Sequence, residues 1–145
     1  MKILLGIDDS KSSGDVVAAI VKQFQPDKTE IRVMHVLQPL VPTAPPQMAA
    51  AYAPELEYQK KEALELVERI AGDLRSAGFI THTAIGLGDV REKIIDSAAD
   101  LHADLIVVGS HGRTGIERFL LGSVAESVAR NAKCSVLIVR GKVGA

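Results

Sequence analysis

The residues best suited to chemistry lie near the C-terminus, where Gly109, Gly112, Gly115 and Gly122 lead directly into Ser123, Val124, Ala125 and Glu126. Glycine permits positive φ and lets a backbone approach an anion closely. A loop of this make-up that ends on a helix start presents unpaired N–H groups, and the helix dipole favours negative charge at that end. The chemistry expected here is anion binding, with the phosphate chain of a nucleotide as the anion. Ser123 and Glu126 also have the spacing of a capping box, so the Ser123 hydroxyl either meets the ligand or bonds the N–H of Glu126.

Competing phosphate motifs fail on their residues. A Walker loop needs a second glycine followed by Lys and Ser or Thr, and the segment from Gly6 to Ser13 has instead Asp8 and Asp9 where phosphate would go. The turn Gly86-Leu87-Gly88 begins like a dinucleotide fingerprint but has Arg91 at the third glycine. His35, His82 and His102 show no close metal-ligand spacing, so a zinc site is not expected; His111 could touch a phosphate but is read as an exposed loop residue. Arg113 and Arg118 are either phosphate clamps or rim charges. Phe119-Leu120-Leu121 is read as an anchor that packs the loop down. The single Cys134 excludes an intramolecular disulfide and reads as packing at the mouth of an apolar strand.

The elements that must position these residues follow from periodicity. Ile3, Leu4, Leu5 and Ile7 form a continuous rather than alternating apolar run, which suits a parallel strand covered on both faces; further strands are expected over 31–37, 105–108 and 135–139, the last two buried. Residues 79–85 alternate, as at a sheet margin, and Gly86-Leu87-Gly88 is expected to turn the chain. Helical spacing joins Val16, Val17, Ile20, Val21 and Phe24, with Asp9 or Ser10 as N-cap and Pro26 as stop. A longer helix runs from Leu56 to Leu74, its charges (Glu57, Lys60, Lys61, Glu62, Glu65, Glu68, Arg69) reading as a solvated face and Gly78 as its C-cap. Asp89 and Glu92 mark the start of a helix using Val90, Ile94, Ile95, Ala98 and Leu101. Residues 38–54, with Pro39, Pro42, Pro45, Pro46 and Pro54, fit no regular element and are expected to be a mobile Pro/Ala-rich insertion, a lid or a partner surface. Strand and helix alternate throughout, which calls for a parallel sheet with helices on both faces.

Composition narrows the function. With 145 residues a single domain is expected over 1–145. A net charge of -1 offers no basic field for nucleic acid. The N-terminal MKILLGIDDS reads as a strand rather than a signal peptide, and no apolar run approaches the roughly 20 residues of a membrane span. A cytoplasmic location without membrane or nucleic-acid partners is therefore expected.

In a parallel sheet, ligands bind beyond the carboxyl ends of the strands, where strand order reverses. The spacing Gly109-x2-Gly112-x9-Gly122-Ser123 resembles the ATP-binding signature of the universal stress protein family. Ile7-Asp8-Asp9-Ser10, Met34-His35-Val36 and Gly88-Asp89-Val90 resemble that family's other strand ends. The resemblance covers the whole chain and is weakest from 38 to 58. It implies a Rossmann-like α/β fold, a single open five-stranded parallel sheet of order 3-2-1-4-5. It also implies that Asp8 meets the ribose, that the Val36 backbone meets adenine, and that Gly109, Gly112, Gly122, Ser123 and Val124 hold the phosphates. Asp8 is the expected Mg²⁺ ligand; Asp9, standing where the family usually has glycine, could cap a helix, ligate Mg²⁺ or repel phosphate.

The leading function is binding of an adenine nucleotide (ATP with Mg²⁺, with AMP or ADP as alternatives) in stress response or signalling, with slow hydrolysis or none. No catalytic base is identified. An active ATPase or phosphotransferase and a dimeric scaffold with little use for nucleotide are the alternatives. Strand five would lie at an edge, predicting a two-fold homodimer through Val136, Leu137, Ile138 and Val139.

Overall fold

In the computed structural model, residues 1–8, 10, 13–38, 47, 49–110 and 121–141 are described. Their elements alternate as expected: β1 (Lys2–Gly6), α1 (Ser13–Gln23), β2 (Glu30–Leu37), α2 (Ala49–Ser76), β3 (Ile80–Leu87), α3 (Val90–Leu101), β4 (Leu105–Gly109), α4 (Ser123–Asn131) and β5 (Ser135–Val139). All strand pairs are parallel and the order is β3-β2-β1-β4-β5, the open Rossmann-like sheet anticipated from the sequence.

The continuous apolar runs of the two central strands, β1 and β4, are buried on both faces. Ile3, Leu4, Leu5, Ile106 and Val107 have no exposure at all. Alternation along each strand sorts them: Ile3, Leu5, Val33 and Val107 pack with Val16, Ile20, Val67 and Leu74 of α1 and α2. Leu4, Met34, Ile106 and Val108 pack with Ile94, Ala98, Ala125 and Val128 of α3 and α4. Burial of each such side chain stabilises the fold by about 2 kcal/mol. Among the described residues, no helix is long and apolar enough to cross a membrane.

Local signals end the elements. Gly78 takes φ +99 past the end of α2, where its N–H reaches the Arg75 carbonyl at 2.8 Å and the Phe79 N–H reaches Leu74 at 3.1 Å. Asp89 caps α3 by accepting the Glu92 N–H at 3.2 Å. Pro26 opens a short 3₁₀ turn (Pro26–Lys28) just after α1.

Three sequence expectations need correction. The helix expected from Leu56 begins at Ala49, with Pro54 inside it, so the end of the supposed irregular insertion is helical. Ala49, Ala50, Ala51 and Ala53 are the strongest helix formers, and Pro54 removes one hydrogen bond near an exposed end. Residues 39–46 and 48, the rest of that insertion, lie outside the described residues. Secondly, β3 continues through Gly86 and Leu87. Gly86 serves packing rather than turning, because a Cβ there would come within 2.9 Å of Met34 Cε; the turn falls to Gly88 at φ +135. Finally, α1 opens at Ser13, three residues beyond Ser10, which is therefore not its N-cap; Asp9 lies outside the described residues.

Candidate functional site

The connection leaving β1 enters α1 on one face of the sheet, and the connection leaving β4 leads to α4 on the other. The two strands are neighbours, so their carboxyl ends part and leave an opening, as the strand-order rule anticipates. A cleft of about 990 Å³ lies there, at the large end of ligand sites. Asp8, Val36, Gly109, Gly122, Ser123 and Val124 all line it. Gly112 lies outside the described residues, as do His111, Arg113, Gly115, Arg118, Phe119 and Leu120.

One end of the cleft is a helix start. The Gly122 N–H donates to the Ser110 carbonyl at 2.7 Å, and the buried Ser110 is itself fastened to β5 by its N–H to Val139 at 2.8 Å. This clasp closes the two ends of the glycine loop on each other. Gly122, not Ser123, is the N-cap of α4; no side chain caps it, and the Glu126 N–H donates to the Gly122 carbonyl at 3.0 Å. The capping-box alternative for Ser123 is thus not the one adopted. The Gly122 amide is occupied by Ser110, so the first-turn N–H groups without an intrahelical acceptor are those of Ser123, Val124 and Ala125. All three residues line the cleft. Leu121, the described member of the expected Phe119-Leu120-Leu121 anchor, is 40% exposed.

The other end is built by β1 and β2. The last bond between them is the Ile7 N–H to the Met34 carbonyl at 2.9 Å, one step past the last paired residues, Gly6 and Met34. Backbone groups alternate sides along a strand, and the Leu37 carbonyl points to β3, where it accepts the Gly88 N–H at 2.9 Å. Val36 therefore turns its main chain toward β1, above the point where β1 has ended. Its N–H has no partner among the described residues. Asp8 stands beside it, half-buried; its Oδ1 accepts the Ser10 N–H at 2.9 Å and its carbonyl accepts the Ser13 hydroxyl at 2.9 Å. His35 Nδ1 lies 2.8 Å from the Ile7 carbonyl oxygen.

The third wall was missed in the sequence. Gln59, Glu62, Glu65, Leu66 and Arg69 of α2 line the cleft, although the charges of this helix read as a solvated face. Arg69 is the only Lys or Arg among the described lining residues. The available signal was spacing: Glu62, Leu66 and Arg69 recur at i, i+4 and i+7, on the flank of the stripe holding Ala63 and Ile70. Glu62 also accepts the phenol of exposed Tyr58, and this hydrogen bond raises the Tyr58 pKa above its ordinary value.

Comparison with known proteins agrees with this architecture. Residues 1–140 match the profile of the universal stress protein family. Universal stress protein YxiE of Bacillus subtilis is 31% identical over 145 residues, covering 96% of this chain and 98% of the relative. The solved structure of MJ0577 from Methanocaldococcus jannaschii superposes with a TM-score of 0.85 at 28% identity, covering 99% of this chain and 97% of the other. A universal stress protein solved in complex with cAMP superposes with a TM-score of 0.68 at 25% identity, covering 98% of each chain. A profile spanning 1–140 and a relative aligned almost end to end place this chain in the universal stress protein family.

Proposed function

We propose that the chain binds an adenine nucleotide in the cleft between β1 and β4, as a stress-response or signalling protein that hydrolyses ATP slowly or not at all. The observation that carries this reading is the pairing, in one cleft, of two donor sets that have no partner among the described residues. The first-turn amides of α4 suit an anion, and the Val36 amide suits the edge of a flat base. Asp8 accepts ribose hydroxyls between them. Gly109, Gly112, Gly122, Ser123 and Val124 form the phosphate end, with Gly122 contributing as the clasp that aims the helix. The cAMP complex of a relative at 25% identity supports an adenine ligand of this kind.

Magnesium fits as a ligand of the phosphates. Among the described residues no group of three His, Cys, Asp or Glu side chains could hold a metal by itself. Mg²⁺ commonly takes one or two carboxylates together with substrate phosphates, and Asp8 supplies such a carboxylate. Slow turnover is supported by the described lining carboxylates Glu62 and Glu65, which sit on α2, packed over β2 and β3 on the face opposite α4. A group that orients the attacking water would belong beside the α4 amides.

Self-association through β5 accompanies this reading. Val136, Leu137, Ile138 and Val139 form an edge strand and are each only half-buried, whereas Leu105, Ile106, Val107 and Val108 of β4 are buried. A two-fold copy paired antiparallel along β5 would cover them. Work in the cytoplasm suits a nucleotide-dependent protein of this kind.

Isothermal titration with ATP, AMP and cAMP tests the nucleotide reading. Saturable binding with one site per chain is expected for at least one of them, and no saturable binding to any would overturn it.

A further inference from the structure

A backbone N–H without a partner among the described residues is unusual in a residue as enclosed as Val36, 8% exposed, because buried amides nearly always find an acceptor. An acceptor stands close by. In a parallel ladder the rung after Ile7 N–H to Met34 O is Val36 N–H to Ile7 O, and that bond is missing. The Ile7 carbonyl is occupied instead by the ring of the preceding residue on β2, with His35 Nδ1 at 2.8 Å. A carbonyl oxygen only accepts, so Nδ1 carries the proton and donates.

We infer that His35 is a positioning residue: by taking the Ile7 carbonyl with its Nδ1–H, it ends the β1–β2 ladder one rung early and keeps the Val36 amide open to the cleft. This deepens the adenine-binding reading and rests on it for the identity of the ligand. The imidazole acts at three places at once. It satisfies the carbonyl that would otherwise draw in Val36. It sets the separation of the β1 and β2 ends, because Ile7 is bonded through its N–H to Met34 and through its carbonyl to His35. It fixes the peptide that leads directly into Asp8, so the ribose and base contacts are held in one frame. The base then meets a donor with no competing partner, and no rung of the sheet has to break when ligand enters.

The test uses amide exchange and histidine tautomer signals of the full chain in solution. Without nucleotide, His35 is expected in the Nδ1–H form, and the Val36 amide is expected to exchange about 100-fold faster than that of Met34, which pairs with β1. A His35 ring protonated on Nε2 alone, or a Val36 amide protected as well as Met34, would overturn the inference without reference to any variant. In His35→Leu the freed Ile7 carbonyl should capture Val36, raising the protection of that amide at least ~10-fold and weakening adenosine about 10-fold. His35→Asn places an N–H donor near the same point and should keep both properties of the wild type. Unchanged Val36 exchange in a folded His35→Leu protein would also overturn it. If the wild type binds no adenine nucleotide, the functional reading fails while the exchange and tautomer signals still decide the role of His35.

Discussion

Gly122 and Ser123 divide two tasks that the sequence had left together on Ser123. Gly122 caps α4 and clasps Ser110, which leaves the Ser123 hydroxyl beside the open amides of Ser123, Val124 and Ala125. Ser123→Ala should therefore weaken ATP about 10-fold, the low end of the worth of one hydrogen bond to a charged group, while adenosine affinity stays unchanged; titration of both ligands reads the ratio. A second residue-scale test concerns Asp89. The Arg91 guanidinium at 3.1 Å and the Glu92 N–H hold its carboxyl below the ordinary value of 3.8. A depressed folded-state pKa means that the stabilising contribution is present above the unfolded value and is lost as pH falls through the folded one. Asp89→Ala should melt below wild type at neutral pH, and the gap should close as pH drops beneath 3.8. The Asp89 cap was legible because its partner lies three residues away. The Gly122 clasp was not, because its partner Ser110 lies across the loop.

At the scale of elements, two glycines at either end of β3 make different demands. Gly78 adopts φ +99, which side chains strain to reach, so Gly78→Ala should destabilise the protein by about 1 kcal/mol in urea titration. Gly86 has an ordinary backbone, and an added methyl would crowd the movable Met34 Cε at 2.9 Å while meeting Val36 Cγ2 at 3.4 Å and Lys93 Cβ at 3.5 Å in ordinary contact. Gly86→Ala should cost clearly less than Gly78→Ala; the reverse ranking would show that the Met34 thioether cannot swing away. The alternation of strands and helices was readable from apolar runs alone, since strands buried on both faces, such as Ile3-Leu4-Leu5, carry an unbroken apolar signal. The beginning of α2 was not, because Pro54 and its neighbouring prolines read as breakers while the alanines beside them decide the local structure. The α2 wall escaped for another reason. A polar helix face over a wet cleft has the same composition as one facing bulk water, so Glu62, Glu65 and Arg69 gave no compositional cue.

For the whole molecule, strand order sets both the site and the surface. Placing β1 and β4 together at the centre opens the cleft, and the same order leaves β5 at an edge. Sedimentation at micromolar concentration should give twice the 15.5 kDa of one chain, and a monomer alone would contradict pairing through β5. In the proposed reading one cleft seats the base at Val36 and the phosphates on α4. The most direct test is a crystal structure of the protein grown with ATP and Mg²⁺. Adenine is expected within hydrogen-bond reach of the Val36 amide, ribose at Asp8 and phosphate oxygens on the N–H groups of Ser123 and Val124. Nucleotide density elsewhere on the protein, or a cleft without any at saturating ATP, would contradict it.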